Sequence, residues 1–76
     1  MKLSAFKEGI NILSAYLDED SHLAIRAQHE QIWVGDSGLT DVEDGWISEE
    51  DFTRLEALGW FVDGDEDNGT SWSCFV

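Results

Sequence analysis

The chain reads as α+β in the order helix, hairpin, helix, hairpin. Its four strands are expected in one antiparallel sheet, with both helices packed on one face. Three observations carry this reading. Leu3, Phe6, Ile10, Leu13 and Leu17 recur at alternating spacings of three and four, one apolar stripe on a helix. From His22 the period changes to two, with Leu23, Ile25 and Ala27 on one side and His22, Ala24, Arg26 and Gln28 on the other. Ser48, Glu49, Glu50 and Asp51 then open a second helix that Gly59 closes. The 76 residues make one small domain spanning residues 1–76.

Ile12 and Tyr16 widen the first stripe, on a helix of about four turns. Gly9 and Asn11 are poor helix formers, so this helix should depend on docking rather than on intrinsic preference. Asp18, Glu19 and Asp20 oppose the macrodipole at its carboxyl end and favour termination there. His29 and Glu30 suit a tight reversal, although they lack the Asn-Gly or Asp-Gly of the favoured hairpin turns. Gln31 to Val34 form the second strand, with Ile32 and Val34 on one face and Trp33 on the other. Gly35 to Gly45 is a loop by composition.

Ser48 is the expected N-cap of a helix from Glu49 to Leu58, and Asp51 stands at the capping-box position. Ile47 and Phe52 have hydrophobic-staple spacing, and Phe52, Leu55 and Leu58 should face the core. Trp60 to Asp63 is a short strand and Asp63 to Gly69 an acidic loop. In the closing strand, Thr70 to Val76, Trp72, Cys74 and Val76 alternate with Ser71, Ser73 and Phe75.

Seventeen acids stand against four Lys or Arg, a formal net charge of −13. Twelve of the acids fall from Asp36 onward, where Arg54 is the only cation. Such a surface repels nucleic acid and anionic membrane and attracts basic proteins. Aromatics at 12% argue against wholesale disorder and enlarge the core of a short chain. The single Cys74 permits neither an internal disulfide nor a cysteine zinc site. Lys7, Glu8 and Asn11 interrupt what would be a signal-peptide apolar run, and no stretch suits a membrane span. A soluble, reduced, cytoplasmic protein is the expectation.

No constellation of catalytic groups emerges. Asp63, Asp65 and Asp67 match the opening of a calcium loop, but Asn68 replaces its glycine and Cys74 its bidentate glutamate. His22 and His29 have no ligand-spaced neighbours, and no nucleophile-elbow glycines surround Ser71 or Ser73. Cys74 reads as a small buried hydrophobe. The sequence therefore predicts no enzyme, no metal and no cofactor. Trp60 and Trp72 belong to the core or pair across the second hairpin, whereas Trp33 and Trp46 are candidate interface anchors beside the packing role that each can also fill.

The acids from residue 41 onward gather in three groups: Asp41, Glu43 and Asp44; Glu49, Glu50 and Asp51; and Asp63, Asp65, Glu66 and Asp67. The first two should form one ridge at the start of the second helix, and the third should lie at the tip of the last hairpin. A folded chain of this mass exposes about 4,700 Å², or one net charge per roughly 360 Å². B-DNA carries one per roughly 100 Å². Mimicry of DNA thus requires that most acids share one face.

In size, charge, absence of cysteine pairs and absence of catalytic motifs, the whole chain resembles small acidic proteins of bacteriophages and mobile elements. Anti-CRISPR and anti-restriction inhibitors are among them. The stretches Ile47–Phe52 and Leu58–Phe61 also resemble small bacterial proteins. The resemblance implies a non-enzymatic inhibitor that docks on a basic surface of a nucleic-acid-binding complex. Asp41, Glu43, Asp44, Glu50, Asp65, Glu66 and Asp67 are the expected contacts, with Trp33 or Trp46 as anchor. Glu49 and Asp51 are poorer candidates because the helix start uses them. The alternative is an acidic domain that self-associates through its sheet edge or tryptophans, its charge serving solubility.

Overall fold

Strand β4 (Gly69–Phe75) occupies the middle of the sheet, and its burial marks it as the central strand. Its run from Ser71 to Cys74 is buried on both faces, with Trp72 and Cys74 toward the helices and Ser71 and Ser73 away from them. The computed structural model describes residues 1–17, 25–35, 37–65 and 69–76. In chain order the elements are α1 (Leu3–Ser14), β1 (Ile25–Gln28), β2 (Gln31–Val34), a 3-10 turn (Ser37–Thr40), α2 (Glu49–Leu58), β3 (Phe61–Asp65) and β4. The sheet order is β1-β2-β4-β3 and every neighbouring pair is antiparallel. The α+β class and the helix–hairpin–helix–hairpin order therefore stand as the sequence predicts.

Helix α1 ends at Ser14, shorter than the apolar stripe suggests. Tyr16 and Leu17 follow in a turn yet still pack against the core, so the stripe outlasts the helix. The predicted terminating acids Asp18, Glu19 and Asp20 lie outside the described residues, as do His22, Leu23 and Ala24. Gly9 has a packing role that its helix propensity hides. A Cβ there would stand 2.0 Å from Nε1 of Trp60. That indole is buried against α1, stacks on Phe6 at 5.8 Å and donates to the Ala5 carbonyl at 3.4 Å.

The β1–β2 turn is made by His29 and Glu30, both at positive φ (50° and 68°), which is the geometry a two-residue hairpin requires. Strand β1 is an edge strand exposed along its whole length, so Ile25, expected on the core side, is 60% exposed. The predicted loop 35–45 contains the 3-10 turn, whose Leu39 is buried and whose carbonyl accepts from the Trp72 indole at 2.8 Å. Trp60 precedes β3 instead of opening it, and β3 runs on to Asp65. The core gathers Leu13, Val34, Leu39, Ile47, Leu55, Trp60, Trp72 and Cys74. Each large buried side chain contributes roughly 1.5–3 kcal/mol of apolar burial.

Helix α2 has the predicted bounds. Ser48 is its N-cap, accepting from the Asp51 amide at 3.1 Å, and Gly59 closes it in the left-handed region at φ 100°. The reciprocal half of the capping box is supplied from elsewhere. The Tyr16 hydroxyl accepts from the Ser48 amide at 3.4 Å and donates to the Asp51 carboxylate. Asp51 is a carbon shorter than the preferred Glu, and a phenol from the end of α1 bridges the gap.

Candidate protein-binding surface

The acid-rich segment after the 3-10 turn is a defined turn. The Asp44 amide donates to Asp41 Oδ1 at 3.1 Å, the Gly45 amide to the Val42 carbonyl at 3.1 Å, and the Trp46 amide to the Asp41 carbonyl at 3.2 Å. Gly45 takes φ +78°, where a side chain would be strained. Ile47, 1% exposed, plugs the core directly after the turn, so Trp46 is held outward at 62% exposure. The chain then passes through Ser48 into α2, where Glu49 and Glu50 are exposed. Glu43 and Asp44 are also exposed, while Asp41 is half-buried.

Hydrogen bonding separates the two turn carboxylates electrostatically. The Asp44 amide, and after it the Asp44 side chain, hold the Asp41 carboxyl below its ordinary value. The bond to Asp41 and that group's charge push the Asp44 carboxyl up. Asp44 is therefore the first of the pair to take a proton as pH falls.

Two contacts place this turn in the molecule. The hydroxyls of Thr40 and Thr70 lie 3.0 Å apart, and Thr70 follows Gly69, the residue opposite Asp65. The Asp41 turn thus starts beside Thr70, at the end of β3 and β4 that the Asp65–Gly69 pair closes. The Tyr16 bridge sets the start of α2 at the carboxyl end of α1. The other end of the molecule is different in kind. There Met1, Lys2, Ala5, Ala57, Leu58, Gly59 and Phe75 line a groove of about 420 Å³, and the Val76 amide donates to the Glu30 carbonyl at 2.9 Å. The ten residues of α2 separate the two ends by about 15 Å. Arg54 forms an ion pair with Glu8 on α1, with a second bond between the groups at 2.9 Å, so its charge is matched away from the Asp41 turn.

The predicted contacts divide accordingly. Asp41, Glu43, Asp44, Glu50 and Trp46 occupy the turn and the start of α2, and Asp65 ends β3 nearby. Glu66 and Asp67 lie outside the described residues. Asp63 belongs to β3 and not to an acidic loop. Its Oδ2 accepts from Gln31 Nε2 at 2.7 Å and from the Trp33 indole at 3.2 Å, across the intervening β4. Trp33 is accordingly half-buried, with the Arg26 guanidinium 5.5 Å from its ring centre. Of the two candidate anchors, Trp46 is the exposed one.

Sequence reasoning missed Tyr16, Thr40, Thr70 and the tie from Asp63 to Trp33. The alternation of Trp33 away from Ile32 and Val34 was the one available signal for the last. Among the described residues no group of His, Cys, Asp and Glu is arranged to hold a metal, and no helix is long and apolar enough to cross a membrane. Comparison of the chain with protein-family models, curated proteins and solved structures finds no match.

Proposed function

We propose that the protein is a non-enzymatic acidic binding protein that inhibits a nucleic-acid-binding complex by docking on its Lys/Arg-rich surface. The docking end carries Asp41, Glu43, Asp44 and Glu50, with Trp46 as the apolar anchor. The observation that carries this reading is the Thr40–Thr70 contact, which brings the Asp41 turn to the end of the hairpin where Asp65 stands. Acids remote in sequence thereby share one end of the molecule. Averaged over the 5302 Å² surface, the charge is far too dilute to compete with DNA, so this concentration is what the function needs. Long-range attraction speeds encounter, and burial of the Trp46 ring slows release.

The test is capture of partners from a bacterial lysate at low and at high salt, with Asp41, Glu43, Asp44 and Glu50 reversed to Lys as the control. A basic nucleic-acid-binding complex retained at low salt, lost with the reversed variant and blocked from its own nucleic acid supports the reading. Capture of the same proteins by both forms with the same salt dependence overturns it.

A further inference from the structure

The groove at the far end of α2 from the Asp41 turn has a composition unlike the rest of the surface. Lys2 is its one charged lining residue and no acid lines it, in a chain with seventeen acids against four Lys or Arg. Small residues open it. Ala5 on α1 and Ala57 on α2 bring a single methyl each, and Gly59, held at φ 100° as the helix terminator, brings no side chain. A Cβ at Gly59 would meet the Met1 methyl at 3.6 Å. Larger apolar groups form the walls: Met1 is 43% exposed, and Phe75, packed on Phe61 at 5.3 Å, is still 58% exposed.

We propose that this groove binds a free single-chain carboxylate, its apolar tail along Ala5, Ala57 and Phe75 and its head group at the Lys2 ammonium. The volume of about 420 Å³ falls in the range of small-molecule sites, about 300–1,000 Å³, which pair apolar walls with a few orienting polar groups. At interior packing density it accommodates a tail of about ten carbons. The walls select the tail, and Lys2 selects the sign of the head. A cationic amphiphile meets like charge at Lys2 and is drawn instead to the acids of the Asp41 turn and the start of α2. An anionic bilayer is held off by the net charge of −13, to which a monoanion in free solution presents only a single charge.

The ten residues of α2 set the groove about 15 Å from the docking end. The inference therefore stands or falls independently of the proposed function.

Titration of the full chain with decanoate at pH 8, below its micelle-forming concentration, tests this by amide NMR. Circular dichroism establishes that each variant is folded. Saturable shifts should centre on Ala5, Ala57, Leu58, Gly59 and Phe75, with a Kd on the order of 1 mM or below. Hexanoate should bind about tenfold or more weakly, because each covered methylene is worth up to about fourfold. Lys2→Glu should weaken decanoate by about fivefold, and Lys7→Glu, the same charge change on α1 outside the groove, by less. Ala57→Trp, at an exposed position, fills the groove and should remove binding.

No saturable shift at these amides overturns the proposal. So do shifts centred on Trp46, binding that survives Ala57→Trp, equal affinity in wild type and Lys2→Glu, or tighter binding of decylammonium in the groove. Shifts of the same amides with protein concentration alone would assign the groove to a second copy and would overturn it as well.

Discussion

The hydroxyl of Thr40 meets the hydroxyl of Thr70 at 3.0 Å, joining the end of the 3-10 turn to the first residues of β4. Neither residue is acidic, yet the contact stands directly before the acid-rich turn at Asp41. It fixes the start of the Asp41 turn beside the β3–β4 hairpin end, while Ile47 and Ser48 carry the same segment into α2. Among the described residues, Asp41, Glu43, Asp44, Glu49 and Glu50 follow one another from that turn into the start of α2, at the opposite end of α2 from the groove that Lys2 lines.

Gly9→Ala should destabilise the fold. In an open helix this change is favourable by roughly 0.5–1 kcal/mol. Here the new methyl would stand 2.0 Å from the Trp60 indole, which is wedged between α1 and the sheet. Overpacking of this kind costs about 1–3 kcal/mol, so the sign inverts. Urea denaturation of the two forms at equal salt checks it, and a higher midpoint for Gly9→Ala would contradict the packing described.

Tyr16→Phe removes the bridge between the end of α1 and the cap of α2. A half-buried hydrogen bond to a carboxylate is lost, at a cost of about 1–2 kcal/mol. Combined with Asp51→Asn in a double-mutant cycle, the two changes should be strongly non-additive, because each breaks the same contact. Additive effects in chemical denaturation would show that the phenol does not complete the cap.

The two carboxyls of the Asp41 turn should titrate in a fixed order. Asp44, pushed up by its bond to Asp41, takes a proton at higher pH than Asp41, which the Asp44 amide holds down. The signs of their linkage to stability are opposite. Asp41 contributes stability above its unfolded pKa that is lost as pH falls through its lower folded value. Asp44 contributes below its unfolded pKa, a contribution lost as pH rises through its higher folded value. Carboxyl-carbon NMR across the acidic range reads both directly, and the reverse order would refute the turn geometry.

Cys74 should resist thiol reagents in the native state. It is fully buried on β4, and burial pushes its pKa above the ordinary value of 9.0. A raised pKa on an acidic group means that folding favours the protonated thiol. Its contribution is intact below the unfolded pKa and fades as pH rises through the folded one. Modification by a colourimetric disulfide reagent should follow unfolding, with the rate rising in denaturant. Rapid stoichiometric reaction without denaturant would contradict the assigned burial.

Local chemistry was legible in the sequence where it is self-contained. Ser48 and Gly59 bound α2 at the predicted residues because a cap and a left-handed terminator act within a few positions. The apolar stripe of α1 was visible, but its last member, Leu17, belongs to the turn beyond the helix. What could not be seen depends on contacts between distant segments. The order β1-β2-β4-β3 buries Ser71 and Ser73, residues that look like the polar face of an ordinary strand. Asp63 looked like loop charge until β4 stood between it and Trp33. The three acidic groups were identifiable one by one, while the contact that sets the Asp41 turn beside the start of β4 is made by Thr40 and Thr70, residues without any distinguishing motif.

The surface potential, read residue by residue, is the most direct test. Amide-proton relaxation would be compared between a cationic and a neutral paramagnetic cosolute of the same size. The cation should accumulate most around residues 41–51, and least around Lys2, Leu58, Gly59 and Phe75. A field of equal strength at both ends, or one strongest beside Lys2, would contradict the proposal that the Asp41 turn and the start of α2 form the docking end.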